Sequence, residues 1–157
     1  MRLVLLRHAL QEVSATEESP TLSLKGKKQQ QSTNQYLLEA GVRLGCIYCS
    51  PVLRAKETAK MVGECFSCPV IIEEALGSNF SEERLLEILQ DSPHEAICFV
   101  GHAPTLPEFA RLLVGQTPVP EIGRSSALII DVEKKDGNLE CRPVQYITPD
   151  GVMETFD

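Results

Sequence analysis

Four short apolar runs, each followed by a segment of helical character, constrain the chain most. They are Arg2 to Arg7, Cys46 to Cys49, Pro69 to Ile72 and Ala96 to Val100. Continuous apolar runs of this length suit strands buried on both faces. Ser23 is placed to cap a helix from Leu24 to Ala40, which Gly41 would end. After Ser50-Pro51, the residues Val52, Ala55, Ala59, Val62 and Phe66 recur at helical spacing. Ser81 caps a third helix with Leu85, Leu86, Ile88 and Leu89 inward, and Leu106, Phe109, Ala110 and Leu113 mark a fourth. Ala127 to Val132 and Leu139 to Val144 then flank an Asp136-Gly137 turn, the signature of a hairpin. This order predicts an α/β three-layer sandwich: a mostly parallel central sheet with a C-terminal antiparallel hairpin. At 157 residues, with no repeat or linker, the chain reads as one domain over residues 1–157.

Charge narrows the function. Fifteen Lys and Arg against 22 Asp and Glu give a net charge of −7, which argues against nucleic-acid or membrane-surface partners. No run of apolar residues is long enough to span a bilayer. The start of the chain lacks a signal-peptide core, so a soluble, cytoplasmic protein is expected. Six cysteines include two Cys-x-x-Cys pairs, Cys46/Cys49 and Cys65/Cys68, at a spacing compatible with a zinc clamp. The first pair lies in a β-prone apolar segment and helical periodicity separates the two pairs. All four are therefore expected to be separate buried thiols, with Cys98 and Cys141 also in the core and no metal bound. The three glutamines Gln29 to Gln31 are expected on a solvated helix face, and residues 9–22 in a loop.

Three clusters sit just after predicted strands: Arg7-His8, Ser50-Pro51-x-x-Arg54 and Gly101-His102. In open α/β sheets ligands bind outside the carboxyl ends of the strands, so the three should converge on one edge. Arginine presents a planar fork matched to phosphate oxygens, and histidine a nitrogen that can donate or attack. Helices starting near Pro51 and Pro104 would add dipoles favourable to an anion. The sum is a phosphate pocket containing histidines.

Leu5-Leu6-Arg7-His8-Ala9, Ser50-Pro51-Val52-Leu53-Arg54-Ala55-Lys56-Glu57-Thr58-Ala59 and Val100-Gly101-His102-Ala103-Pro104 resemble, in order, the signatures of the histidine phosphatase superfamily. Leu22-Ser23-Leu24-Lys25-Gly26 and Ser125-Ser126-Ala127-Leu128 add to this likeness, which is strongest to the short SixA-type phosphohistidine phosphatases. The resemblance implies a phosphoglycerate mutase-like fold without a large cap insertion. It implies His8 as nucleophile, forming a covalent phosphohistidine, with Arg7, Arg54 and His102 holding the phosphoryl oxygens. It further implies Glu74 or Glu73 as general acid and no cofactor. The expected substrate is a phosphohistidine-bearing protein such as a phosphotransfer domain in signalling, and phosphate or sulfate would occupy the empty pocket. The alternatives are a phosphatase of small phosphate esters on the same fold and a non-catalytic phosphate- or zinc-binding module.

Overall fold

The computed structural model describes residues 1–13 and 22–157. Residues 14–21, most of the expected loop over 9–22, lie outside the described residues. The elements follow one another as β1 (Arg2–Arg7), α1 (Leu24–Glu39), β2 (Cys46–Cys49), α2 (Leu53–Phe66) and β3 (Val70–Ile72). A 3-10 turn (Glu74–Leu76) leads to α3 (Glu82–Asp91), β4 (Ala96–Gly101) and α4 (Thr105–Val114). The chain closes with β5 (Ala127–Lys135), β6 (Asn138–Thr148) and β7 (Gly151–Thr155). All seven strands join one sheet in the order β3-β2-β4-β1-β5-β6-β7.

Strand alternation builds the layers. In β1, Leu3 and Leu5 face a core made with Leu85 and Leu89 of α3 and Leu106 and Phe109 of α4. Val4 and Leu6 face the opposite core, made with Leu37 of α1 and Ala55, Ala59 and Val62 of α2. β4 is buried along its whole length for the same reason: it is central and covered on both sides. The predicted three-layer sandwich is thus present.

Its sheet is parallel only in part. β3, β2, β4 and β1 run parallel, whereas β1–β5, β5–β6 and β6–β7 are antiparallel. The sequence reading of a mostly parallel sheet therefore holds for one half. The hairpin forms as expected, with Asp136 and Gly137 both at positive φ (50° and 81°), the backbone of a type I′ turn. It is longer than expected and returns once more as β7. Pro143 in β6 pairs with Ile130 and Gln145 with Ile129, so Pro143 sits beside a register shift, a bulge being where a strand tolerates a residue without an N–H.

The cysteine expectation needs correcting in part. Cys46, Cys49 and Cys98 are buried, but Cys65 is exposed and Cys68 and Cys141 are half-buried. Cys46 belongs to one core and Cys49 to the other, so the sheet stands between the first pair. Among the described residues no group of three or more His, Cys, Asp or Glu side chains is placed to hold a metal ion. The glutamine run is not a uniformly solvated face either: Gln30 is buried and its Nε2 donates to Asn34 Oδ1 at 2.9 Å. That inward polar pair exists because α1 packs against α2, where Asn34 reaches the Met61 carbonyl at 3.4 Å.

Candidate active site

Parallel pairing of β1, β4 and β2 aligns the ends of three strands. Arg7 registers with Gly101, and Cys49 with Val100. The chain leaving β1 is fixed by the His8 N–H donating to the Gly101 carbonyl at 3.0 Å, and the chain leaving β2 by the Ser50 N–H donating to the Val100 carbonyl at 3.0 Å. Arg7, His8, Arg54 and His102 therefore line one cavity of about 320 Å³, together with Gln11, Ala103 and Arg124. The rings of His8 and His102 lie 5.2 Å apart, centre to centre. α2 starts at Leu53 and α4 at Thr105, each without a side-chain cap. Pro51 and Pro104 thus precede the helices and do not form their first turns.

His8 is buried, and its hydrogen bonds define its tautomer. Nδ1 lies 2.8 Å from the Ala9 carbonyl, which can only accept, so the ring proton sits on Nδ1. Nε2 is left with a lone pair, and the Arg54 Nε–H donates to it at 3.3 Å. Burial, with added repulsion from His102, Arg54 and Arg7, holds the His8 pKa down at about 4, against partial support from the Ala9 carbonyl. Burial, Arg54 and Arg7 also lower that of His102. Both rings are consequently neutral near neutral pH.

Residues behind the cavity hold these groups. The Val52 N–H donates to Ser50 Oγ at 3.3 Å, and the Ser50 hydroxyl meets His102 Nε2 at 2.8 Å. Thr58 Oγ1 accepts the Ala9 N–H at 2.9 Å, which fixes the peptide that orients His8.

The two candidate acids do not join the cavity. Glu73 caps the 3-10 turn through the Ala75 N–H at 3.0 Å and pairs with Arg84 at 3.1 Å; Glu74 is exposed. Their backbone follows β3, the outermost parallel strand, with β2 and β4 standing between it and β1.

Arg124 is the residue the sequence reading missed. β5 runs antiparallel to β1, so the residues before it, not after it, arrive at the carboxyl edge of β1. The Arg7 N–H donates to the Ser126 carbonyl and the Ser125 N–H to the Arg7 carbonyl, both at 3.1 Å. Ile122 and Ser125 adopt positive φ (60° and 52°) in this loop, an uncommon backbone for non-glycine residues and a costly one for a β-branched side chain. The Arg7 Nη1 reaches the Ile122 carbonyl at 3.4 Å. Burial and the charge of Arg124 lower the Arg7 pKa, so two guanidinium groups stand side by side.

The family profile of the histidine phosphatase superfamily, branch 1, matches residues 3–80, which carry Arg7, His8 and Arg54. The chain belongs to the histidine phosphatase superfamily. No curated protein matches it in sequence. Among solved structures, this histidine phosphatase superfamily member is similar to the protein histidine phosphatase SixA in complex with tungstate. That match has a TM-score of 0.84 and 18% identity and covers 96% of this chain and 98% of that one. It is also similar to the putative phosphohistidine phosphatase SixA of Agrobacterium tumefaciens, with TM-score 0.74, 20% identity and coverage of 93% and 96%. A mycobacterial glucosyl-3-phosphoglycerate phosphatase in complex with VO3 follows, with TM-score 0.70, 16% identity and coverage of 90% and 96%. These likenesses establish the fold. The coarse reaction class that goes with this family is phosphoryl hydrolysis.

Proposed function

We propose that the protein hydrolyses phosphohistidine on another protein through a covalent phosphohistidine on His8. The observation that carries the reading is the unprotonated Nε2 of a neutral His8, which accepts only the long hydrogen bond from Arg54 and is held among Arg7, Arg54, His102 and Arg124. In the first step Nε2 bonds to phosphorus and the P–N bond to the substrate imidazole breaks. The ring of His8 gains positive charge as it attacks, and the Ala9 carbonyl accepting its Nδ1–H stabilises that charge, as the carboxylate does in a catalytic triad. The guanidinium groups supply fixed charge and donors to the equatorial phosphoryl oxygens, where charge accumulates. In the second step water attacks phosphorus, the P–Nε2 bond breaks, and phosphate leaves.

Among the described residues, no carboxylic acid lines the cavity. That favours a leaving group able to carry its own proton. A phosphohistidine ring protonated on its other nitrogen leaves as neutral imidazole, whereas an alkoxide would need an acid. The likeness to a sugar-phosphate phosphatase favours a second reading, hydrolysis of small phosphate esters. A panel of phosphohistidine protein, phosphoramidate and simple esters separates the two. His8→Ala is expected to abolish turnover and the acid-labile phosphoenzyme while the protein still binds vanadate. Radiolabel trapped on His8→Ala, or mapped to His102, would reverse the roles of the two histidines.

A further inference from the structure

A second, larger recess adjoins the catalytic cavity. It measures about 970 Å³ and shares Arg7 and Arg124 with that cavity. Beyond them it is lined by Lys25, Lys28 and Leu24 of α1, and Asp150 is the one carboxylate among the described lining residues. Lys25 and Lys28 are three residues apart and so share one helix face. Both are exposed, as is Arg124. Among the described residues, none of the ion pairs formed includes Arg7, Arg124, Lys25 or Lys28. Among its described residues, a chain of net charge −7 thus leaves four cations without carboxylate partners along one groove leading from His8. Their mutual repulsion is relieved by an incoming anion, and their summed field favours acidic partners against the charge of the molecule as a whole. Lys25 and Lys28 line the outer recess and not the cavity of His8, Arg54 and His102, so they are placed to meet parts of a substrate beyond the transferred phosphoryl group.

Leu24 indicates what that is. It is 69% exposed on the groove wall, an apolar side chain set among the lysines. A small anionic metabolite has no use for it, whereas a protein surface with an apolar residue flanked by carboxylates matches both features. We infer that the groove of Arg124, Lys25, Lys28 and Leu24 docks an acidic segment of the phosphorylated partner protein and so selects the substrate. The inference rests on the proposed phosphohistidine activity for the nature of that partner. Arg124 then acts at the junction, touching the phosphoryl site on one side and the partner on the other.

The test pairs binding with turnover. Fluorescent peptides carrying the non-hydrolysable phosphoryltriazolylalanine, with either Asp/Glu or neutral flanks, are titrated by anisotropy into the full chain and into Lys25→Glu/Lys28→Glu. Thermal melts confirm that the variant is folded. The acidic peptide is expected to bind at least about tenfold more tightly than the neutral one, to lose that advantage in the double variant and to weaken steeply with salt. Equal binding of the two peptides, or a preference that survives the double variant, would overturn the inference. So would Lys25/Lys28-dependent binding of 3-phosphoglycerate as tight as that of the acidic peptide, which would assign the groove to a metabolite. Turnover of phosphoramidate, measured alongside, tests the catalytic reading separately. If it fails while acidic binding holds, the groove stands and the proposed reaction falls.

Discussion

Thr58 is wholly buried, accepts the Ala9 N–H at 2.9 Å and donates its own proton to the Arg54 carbonyl at 2.8 Å. Through one hydroxyl, the peptide that orients His8 is tied to the helix turn that carries Arg54. The consequence is a His8 ring held neutral and in one tautomer. Because the folded pKa of His8 is near 4 and that of an unfolded histidine near 6.5, the unfolded chain takes up a proton in that window while the folded one does not. Stability is therefore expected to fall as pH drops from about 6.5 towards 4, and to be indifferent to this group above that window. A ¹⁵N NMR titration should find the His8 ring still neutral at pH 5.5. A midpoint at 6.5 or above would contradict the burial described for it.

At the scale of elements, α1 and the chain after β1 are joined at Gly26. Ser23 caps the helix by accepting the Gly26 N–H at 2.9 Å, and its own N–H donates to the Leu10 carbonyl at 3.0 Å. A Cβ on Gly26 would stand 2.1 Å from the Leu10 carbonyl oxygen, a collision with backbone that no side-chain rotation relieves. Gly26→Ala is thus expected to cost about 1–3 kcal/mol by overpacking and, by moving residues 9–11, to lower kcat/KM on any substrate. Unchanged melting temperature and activity would show that the contact yields freely. The elements also explain what could be read beforehand. Arg7, His8, Arg54 and His102 were legible because each ends or follows a strand whose apolar run is unmistakable, and a parallel sheet brings such positions to one edge. Arg124 precedes its strand in a loop of irregular backbone, and nothing in the sequence announces that β5 runs the other way. β7 was missed because its residues after Gly151 are all exposed, so no apolar alternation marks it. Glu73 and Glu74 were misplaced by counting from β3 without knowing that β3 is an edge strand.

For the whole molecule, the two cores meet through the central strands, and Phe99 is the largest side chain there. It is fully buried, edge-on to Tyr48 at 5.8 Å and tilted against Phe109 at 6.2 Å. Phe99→Ala is expected to cost about 3–5 kcal/mol, a fall in Tm on the order of 6–20 °C for a chain of this size. Calorimetry showing a loss below 1 kcal/mol would mean that the surrounding residues collapse into the space. β1, the strand that bears Arg7 and precedes His8, lies between β4 and β5. Its partners enter the chain only about 90 and 125 residues after it, so its pairing is among the most non-local in the fold. During synthesis at roughly 5–20 residues per second, the apolar segment Leu3 to Leu6 waits several seconds or more for β4, and longer for β5. The strand that centres the finished sheet is, for that interval, apolar and without its sheet partners, and the corner that gathers Arg7, His8, Arg54, His102 and Arg124 is among the last parts of the protein to come into existence.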